Sequence, residues 1–389
     1  MPSNPLFPEL AAPSEVVHST GVLPHQKIEE LIRSGAVSGD QEIAGDQVQP
    51  ASIDLRLSSR CYRVQASFLP NKASTVEAKL SEMIGRGEAI EMDLSQPTIL
   101  EHGVVYLALL MERLRLPPEI LGKANPKSTT GRLDVLTRLI TDRSGEFEKV
   151  HKGYKGALYV EIFPGTFSIL VREGTRLNQL RLLRGTPPPS DAKLSELDKA
   201  DPLVYLEDQP GVATISKGLW LSVDLQGAGH ESIIGYRARP ESVVIDFDKK
   251  NFYPPEVGWD RIPPNGRKQL LLEPNRFYLL ACKERVRIPP THAAEMIAYD
   301  PSFGEFRIHY AGFFDPGFGY GNDDSPGARA VLEVRSHNVP FLLEDGQIIG
   351  RLIFERLLCP PTRLYGESVG SSYQGQGLRL GKQFKMSSS

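Results

Sequence analysis

Residues 104–120 read VVYLALLMERLRLPPEI, and residues 276–292 read RFYLLACKERVRIPPTH. Tyr106 falls over Tyr278, Glu112 over Glu284, Arg113 over Arg285 and Pro117-Pro118 over Pro289-Pro290, at an offset of 172. Outward from this pair, Glu161 of ALYVEI lies at the same offset from Glu333 of AVLEV, and Gly174 of REGTRLNQLRL from Gly346 of EDGQIIGRLIF. Upstream, ASIDLRL (51–57) matches LSVDLQG (221–227) at an offset of 170. Separated matches at one long spacing are the mark of a duplicated unit. Two copies of one domain are therefore expected, residues 21–184 and 214–360, with a tail at 1–20, a linker at 185–213 and a lid or tail at 361–389.

Each copy carries short runs rich in Val, Ile, Leu, Tyr and Phe bounded by Pro and Gly, which predicts a mainly β chain of two tandem barrel or jelly-roll domains. Few helices are expected. The best are HQKIEELIRSG (25–35) and TVEAKLSEMIGRG (75–87), each closed by a glycine suited to a C-cap. GTPPPSDAKLSELDKADP (185–202) is rich in Pro and charge without strand alternation, as a linker would be. The Gly/Ser-rich stretch 365–377 has too little apolar surface to build a core, so the tail is expected to be disordered or to order over a ligand.

Lys plus Arg total 45 against 48 for Asp plus Glu, a net charge of -3 that offers no overall field to a polyanion, so bulk nucleic-acid binding is not expected. Cys61, Cys282 and Cys359 lie far apart without a CxxC, which favours a reducing, cytoplasmic setting over a disulfide framework or a zinc site. No run approaches the ~18 apolar residues of a membrane span, and MPSNPLFPELAAPSE lacks the layout of a signal peptide.

In order along the chain, the motifs resemble the deoxycytidine triphosphate deaminase branch of the trimeric dUTPase-like superfamily, in a tandem-duplicated form. ASIDLRL and LSVDLQG look like the strand whose Asp supports the fold, and PKSTTGRL like the Ser-rich phosphate loop, with Ser128 and Arg132 on functional positions. FFDPGFGYG (313–321) resembles the hairpin whose Asp approaches the sugar, here Asp315; VLEV resembles the strand of the catalytic glutamate, here Glu333. YGESVGSSYQGQG (365–377) resembles the mobile lid, with Tyr365, Tyr373 and Gln376 at ligand-binding positions, but Ser372 stands where the family's lysine precedes the second tyrosine.

The copies have lost different parts. Copy one keeps the phosphate loop and Glu161 but has EKVHKGYKG (148–156) in place of the Asp-Pro-Gly hairpin; copy two keeps Asp315 and Glu333 but has DPSFGEFR (300–307) in place of the Ser-rich loop. Because superfamily sites form where domains meet, the resemblance implies one complete site drawn from both copies, within one chain or between chains of a homo-oligomer, most simply a trimer. Glu161 would mark a second site.

The implied reaction is hydrolysis of dCTP to dUTP and ammonia, feeding dUMP and dTTP synthesis. Most nucleobase deaminases activate water on zinc bound by an H-x-E and PCxxC signature, which this sequence lacks. Glu333 would then be the general base and later the acid. Ser128 would position the water or the amino group, and Arg132 would steady phosphate oxygens or the intermediate. Lys127 and the backbone of Thr129, Thr130 and Gly131 would hold the triphosphate, magnesium arriving with it. Asp315, ahead of Pro316-Gly317 in a type II turn, would accept the 3′-hydroxyl. Val331 and Leu332 complete the expected substrate contacts. Two rivals stay open at this level: a dUTP pyrophosphatase or bifunctional deaminase-pyrophosphatase, and a nucleotide-binding regulator without catalysis.

Overall fold

The computed structural model describes residues 17–227, 233–240, 242–297, 312–320, 326–336, 338–366 and 377–385, and the backbone of 306–308. The duplication reappears as identity of strand register. The strand Val105–Arg115 pairs antiparallel with Lys155–Pro164, placing Glu161 opposite Leu107 and Ile162 opposite Tyr106. Phe277–Val286 pairs in the same way with Ala328–Ser336, placing Glu333 opposite Leu279 and Val334 opposite Tyr278. The facing sheets repeat as well, with Ala124 opposite Leu180 in one half and Met296 opposite Leu352 in the other. A slip of one residue would turn every side chain to the other face, so this register fixes which residues are inside. Both repeated tyrosines use their hydroxyl to accept the backbone N–H five residues earlier, Glu101 at 2.9 Å and Glu273 at 3.0 Å.

Each half is thus a pair of antiparallel sheets. In the first, Tyr106, Ala108, Leu110 and Val160 pack against Ala124, Leu180 and Leu182; in the second, Tyr278, Leu280 and Leu332 pack against Ala294, Met296 and Leu352. The chain is mainly β, with four short α-helices among the described residues. The helices His25–Arg33 and Val76–Gly85 both end in a Schellman motif. Gly35 and Gly87 take φ of 73° and 72°, and the next N–H reaches back to the carbonyl of Leu31 or Met83 at 2.9 and 2.8 Å. No helix among the described residues is long and apolar enough to cross a membrane.

What covers the outer face of each central sheet decides where a site can form. In the first half, Leu107, Leu109 and Tyr159 of the outer face are sealed by Val76 and Leu80 of the second helix. In the second half, Phe277 and Leu279 of the equivalent face belong to the same apolar cluster as the first half's core. The halves are further locked by an aromatic group in which Trp259 meets Phe167, Phe277 and Phe384 with ring centroids 5.2, 6.0 and 6.1 Å apart. The strand Ile245–Asp246 also adds in parallel to Ile169–Val171.

Two segments differ from their reading in the sequence. Within 185–213, expected as a linker, Asp191–Ala200 is a helix whose Ser190 hydroxyl accepts the Lys193 N–H, and Val204–Leu206 pairs with Val286 and Arg285. The apolar Leu194, Leu203 and Val204, diluted by charge in the sequence, pack into the second half's core. In the tail, residues 377–385 are anchored: Gln383 is fully buried, Phe384 nearly so, and the N–H groups of Phe252 and Tyr253 both bond to the Gln383 carbonyl at 2.9 and 3.0 Å.

Candidate active site

A cavity of about 440 Å³ opens between the halves. Lys127, Ser128, Thr129 and Arg132 enter it from the first half, and Asp315, Val331, Glu333 and Tyr365 from the second, all in one chain.

Ser128–Gly131 forms a single helical turn following the strand Ile120–Pro126, with Arg132 N–H bonded to Ser128 O at 3.0 Å. Two anchors fix its approach: Lys127 N–H donates to Leu177 O at 3.0 Å, and the Thr130 hydroxyl donates to the same carbonyl at 2.7 Å. The backbone N–H groups of Thr130 and Gly131, expected at the triphosphate, are instead bonded to Lys127 O at 2.8 and 3.0 Å, and neither residue lines the cavity. Ser128 is left exposed toward the cavity. Lys127 forms an ion pair with the buried Asp54, and Arg132 Nη1 donates to Arg379 O at 2.9 Å, tying the loop to the anchored tail.

Glu333 faces this turn directly. Gly131 has no side chain, and a Cβ placed there would stand 2.7 Å from the Glu333 carboxyl carbon and closer still to Oε2. Glu333 is 6% exposed, and burial pushes its pKa up to about 8. Arg132 opposes that shift and Asp134 adds to it. Asp134 is itself held by Arg335 and by the Thr166 hydroxyl at 2.6 Å. Strand alternation sends Val331 to the cavity with Glu333 and turns Leu332, 0% exposed, into the second half's core, so Leu332 is corrected from a substrate contact to a core residue.

The Asp315 turn forms as its sequence predicts: Phe318 N–H bonds to Asp315 O at 3.1 Å, and Gly317 takes φ 88°, the sign that position i+2 of a type II turn requires. Burial raises the Asp315 carboxyl to about 6 against the lowering effect of Arg181, whose guanidinium lies 3.6 Å away. Arg181, fully buried and from the first half, also donates to Ala294 O at 3.0 Å and Phe314 O at 3.2 Å, and lies 4.1 Å from the Phe313 ring centre. Tyr365 closes one side, its N–H bonded to Pro316 O at 2.8 Å and its ring 5.3 Å from that of Phe318. Tyr373 and Gln376 lie outside the described residues.

Glu161 stands apart. Its carboxylate accepts Arg138 Nε at 2.8 Å across the strand pair Val135–Thr141 and Lys155–Pro164, and it does not line the cavity. Sequence motifs did not single out Arg176, Lys250, Arg329 and Lys382, which also line the cavity. Asp54, read from the sequence as a support of the fold, reaches the cavity as well.

Two β-rich copies thus enclose a cavity with a buried carboxyl on one wall and a fringe of cations. The chain belongs to the 2'-deoxycytidine 5'-triphosphate deaminase family, whose N-terminal domain description matches residues 19–186 and whose C-terminal domain description matches residues 190–384. The crystal structure of 2'-deoxycytidine 5'-triphosphate deaminase from Agrobacterium tumefaciens superposes with a TM-score of 0.82 at 45% identity, over 88% of this chain and 100% of that one. The dCTP deaminase of Halorubrum lacusprofundi is 30% identical over 34% of this chain and 62% of its own length. A "dCTP deaminase, dUMP-forming" from Halobacterium salinarum is 34% identical over 28% of this chain and 53% of its own. The chain thus spans between half and two thirds of these two relatives.

Proposed function

We propose that this protein is a hydrolase that converts dCTP and water to dUTP and ammonia at the cavity between its halves. The observation that carries this reading is the Glu333 carboxyl, buried against the Ser128–Arg132 turn and sharing one cavity with Asp315. Cytosine is seated with C4 toward Glu333. The carboxylate takes a proton from water as the oxygen bonds to C4 and passes it to ring N3 as the ring loses aromaticity. The same carboxylate then takes the proton of the new C4 hydroxyl and delivers it to the amino group, so ammonia leaves and the C4 carbonyl forms. A pKa near neutrality suits a group that both accepts and returns a proton. In this reading Ser128 and Arg132 orient water and stabilise charge, and Asp315 accepts the sugar hydroxyl.

The reading calls for no zinc, because the sequence lacks the H-x-E and PCxxC signature and its three cysteines carry no CxxC spacing. Magnesium enters as part of the nucleotide substrate. The reading includes a cytoplasmic, trimeric assembly, which light scattering on the purified protein tests. Relatives described as dUMP-forming favour a second reading, in which the product is dUMP and pyrophosphate. Resolving dUTP, dUMP and pyrophosphate after incubation with dCTP, and separately with dUTP, decides between them.

Glu333→Gln is the direct test. The amide keeps shape but cannot carry the proton, so turnover is lost while dCTP binding stays within several-fold. Equal loss of binding and turnover, with Glu161→Gln the more damaging variant, would overturn the assignment.

A further inference from the structure

Three lysines converge on the cavity from distant parts of the chain: Lys127 from the first-half loop, Lys250 beyond the strand Ile245–Asp246, and Lys382 from the anchored tail. The backbone around Lys250 is tied to that around Lys382. Asn251 N–H donates to Lys382 O at 2.9 Å, and Lys385 N–H donates to Tyr253 O at 2.7 Å. The buried Gln383 side chain donates to Phe247 O at 2.9 Å. The Lys382 ammonium lies 5.4 Å from the Phe247 ring centre, on the cavity wall.

The carboxylates nearby are engaged. Asp54 meets Lys127, while Asp248 accepts Arg172 Nη1 at 2.9 Å and the Thr175 hydroxyl at 3.0 Å. Among the described residues Lys250 forms no ion pair. Burial, followed by the charges of Lys127 and Lys250, holds the Lys382 ammonium below its ordinary pKa, as expected of like charges crowded together. A fixed cluster of ammonium groups is an unfavourable arrangement by itself and a favourable one around a multiply charged anion.

Resting on the deaminase reading above, we propose that Lys250 and Lys382, with Lys127, form the subsite that grips the phosphate chain of the nucleotide. Lysine suits this task as a compact point charge that can meet phosphate oxygens from several directions. The subsite is built from both halves and the tail, so the tail's packed segment contributes to substrate binding as well as to the fold.

The test compares Lys250→Met, Lys382→Met and Lys382→Arg with the unaltered chain, using inorganic tripolyphosphate by calorimetry and dCTP and deoxycytidine kinetics. Loss of one charge-assisted contact weakens tripolyphosphate binding by about tenfold and raises KM for dCTP by about as much. Turnover at saturating dCTP changes far less, kcat/KM for deoxycytidine is unmoved, and Lys382→Arg restores most of the binding. Tripolyphosphate binding by both Met variants equal to that of the unaltered chain would overturn the proposal, as would an unaltered chain that does not bind it. Intact, lysine-dependent tripolyphosphate binding with no dCTP turnover would leave this subsite standing and overturn the deaminase reading instead.

Discussion

Gly131→Ala is the sharpest probe of the site, because it adds one methyl group at the point where the two halves meet most closely. Gly131 lies in a helical turn without positive φ, so alanine meets no backbone strain. The obstacle is the Glu333 carboxyl: a Cβ would stand 2.7 Å from its Cδ and Oε1 and closer to Oε2, where ordinary contact begins at 3.4 Å. Relief requires the carboxyl to retreat by about 1 Å, a misplacement that costs on the order of 10²-fold in rate where a reacting group is concerned. Stability should move little, since Gly→Ala at a compatible position favours the folded state by about 0.4–1 kcal/mol, offsetting part of the clash. The assay is steady-state conversion of dCTP, followed by chromatography of the products, beside a thermal melt. Turnover within threefold of the unaltered chain would refute the placement of Glu333 against this turn. A large fall in Tm with the lost activity would show that the turn moved rather than the carboxyl.

Phe384→Ala should destabilise the chain by about 3–5 kcal/mol, because the ring is buried among Trp259, Phe167 and Tyr253; a calorimetric melt with unchanged Tm would show that the tail is not packed as described. Arg181→Met leaves the buried Asp315 without its cation, while Glu355 keeps Lys123, so a loss of about 3–5 kcal/mol in denaturant titration is expected, together with a raised KM for dCTP. The third concerns pH. The folded chain holds a proton on Glu333 up to about 8 that the unfolded chain releases near the ordinary value of 4.5, so ionisation of this group weakens the fold as pH rises through that window. Glu333→Gln removes the effect, and its Tm should gain on that of the unaltered chain between pH 4.5 and about 8; parallel Tm profiles would contradict the raised pKa.

The parts of this molecule that were legible in its sequence are those set by local rules. Gly35 and Gly87 mark helix ends because the left-handed position after a helix excludes most other residues. Asp315-Pro316-Gly317 specifies its turn by proline's fixed φ and glycine's freedom. Register followed from the repeat, and with it the equivalence of Glu161 and Glu333. Leu332 shows a local rule left unapplied: a two-residue period already excludes it from the face of Glu333. Lys250, Lys382 and Arg176 were not legible, because their place at the cavity depends on contacts between segments more than a hundred residues apart. The tail misled through its composition: the Gly/Ser-rich run hid the apolar Leu378, Leu380 and Phe384 that follow it.

The fate of the two repeated glutamates turns on what covers them. Identical register gives each an identical place on its sheet, yet Glu333 lines the cavity between the halves and Glu161 does not. In the first half a helix closes the outer face, and Arg138 neutralises Glu161 within the sheet. In the second half that face is covered by the first half's Ser-rich turn, which brings a glycine, a hydroxyl and a guanidinium and leaves open space beside them. Burial without a cation in direct hydrogen-bond contact is what lifts the Glu333 pKa, whereas Glu161 has Arg138 bonded to it. The complementary losses in the two copies follow from the same geometry. With one composite cavity formed in each chain, a second Ser-rich loop or a second Asp-Pro-Gly hairpin would serve no part of it, and each copy is free to keep only what faces its neighbour.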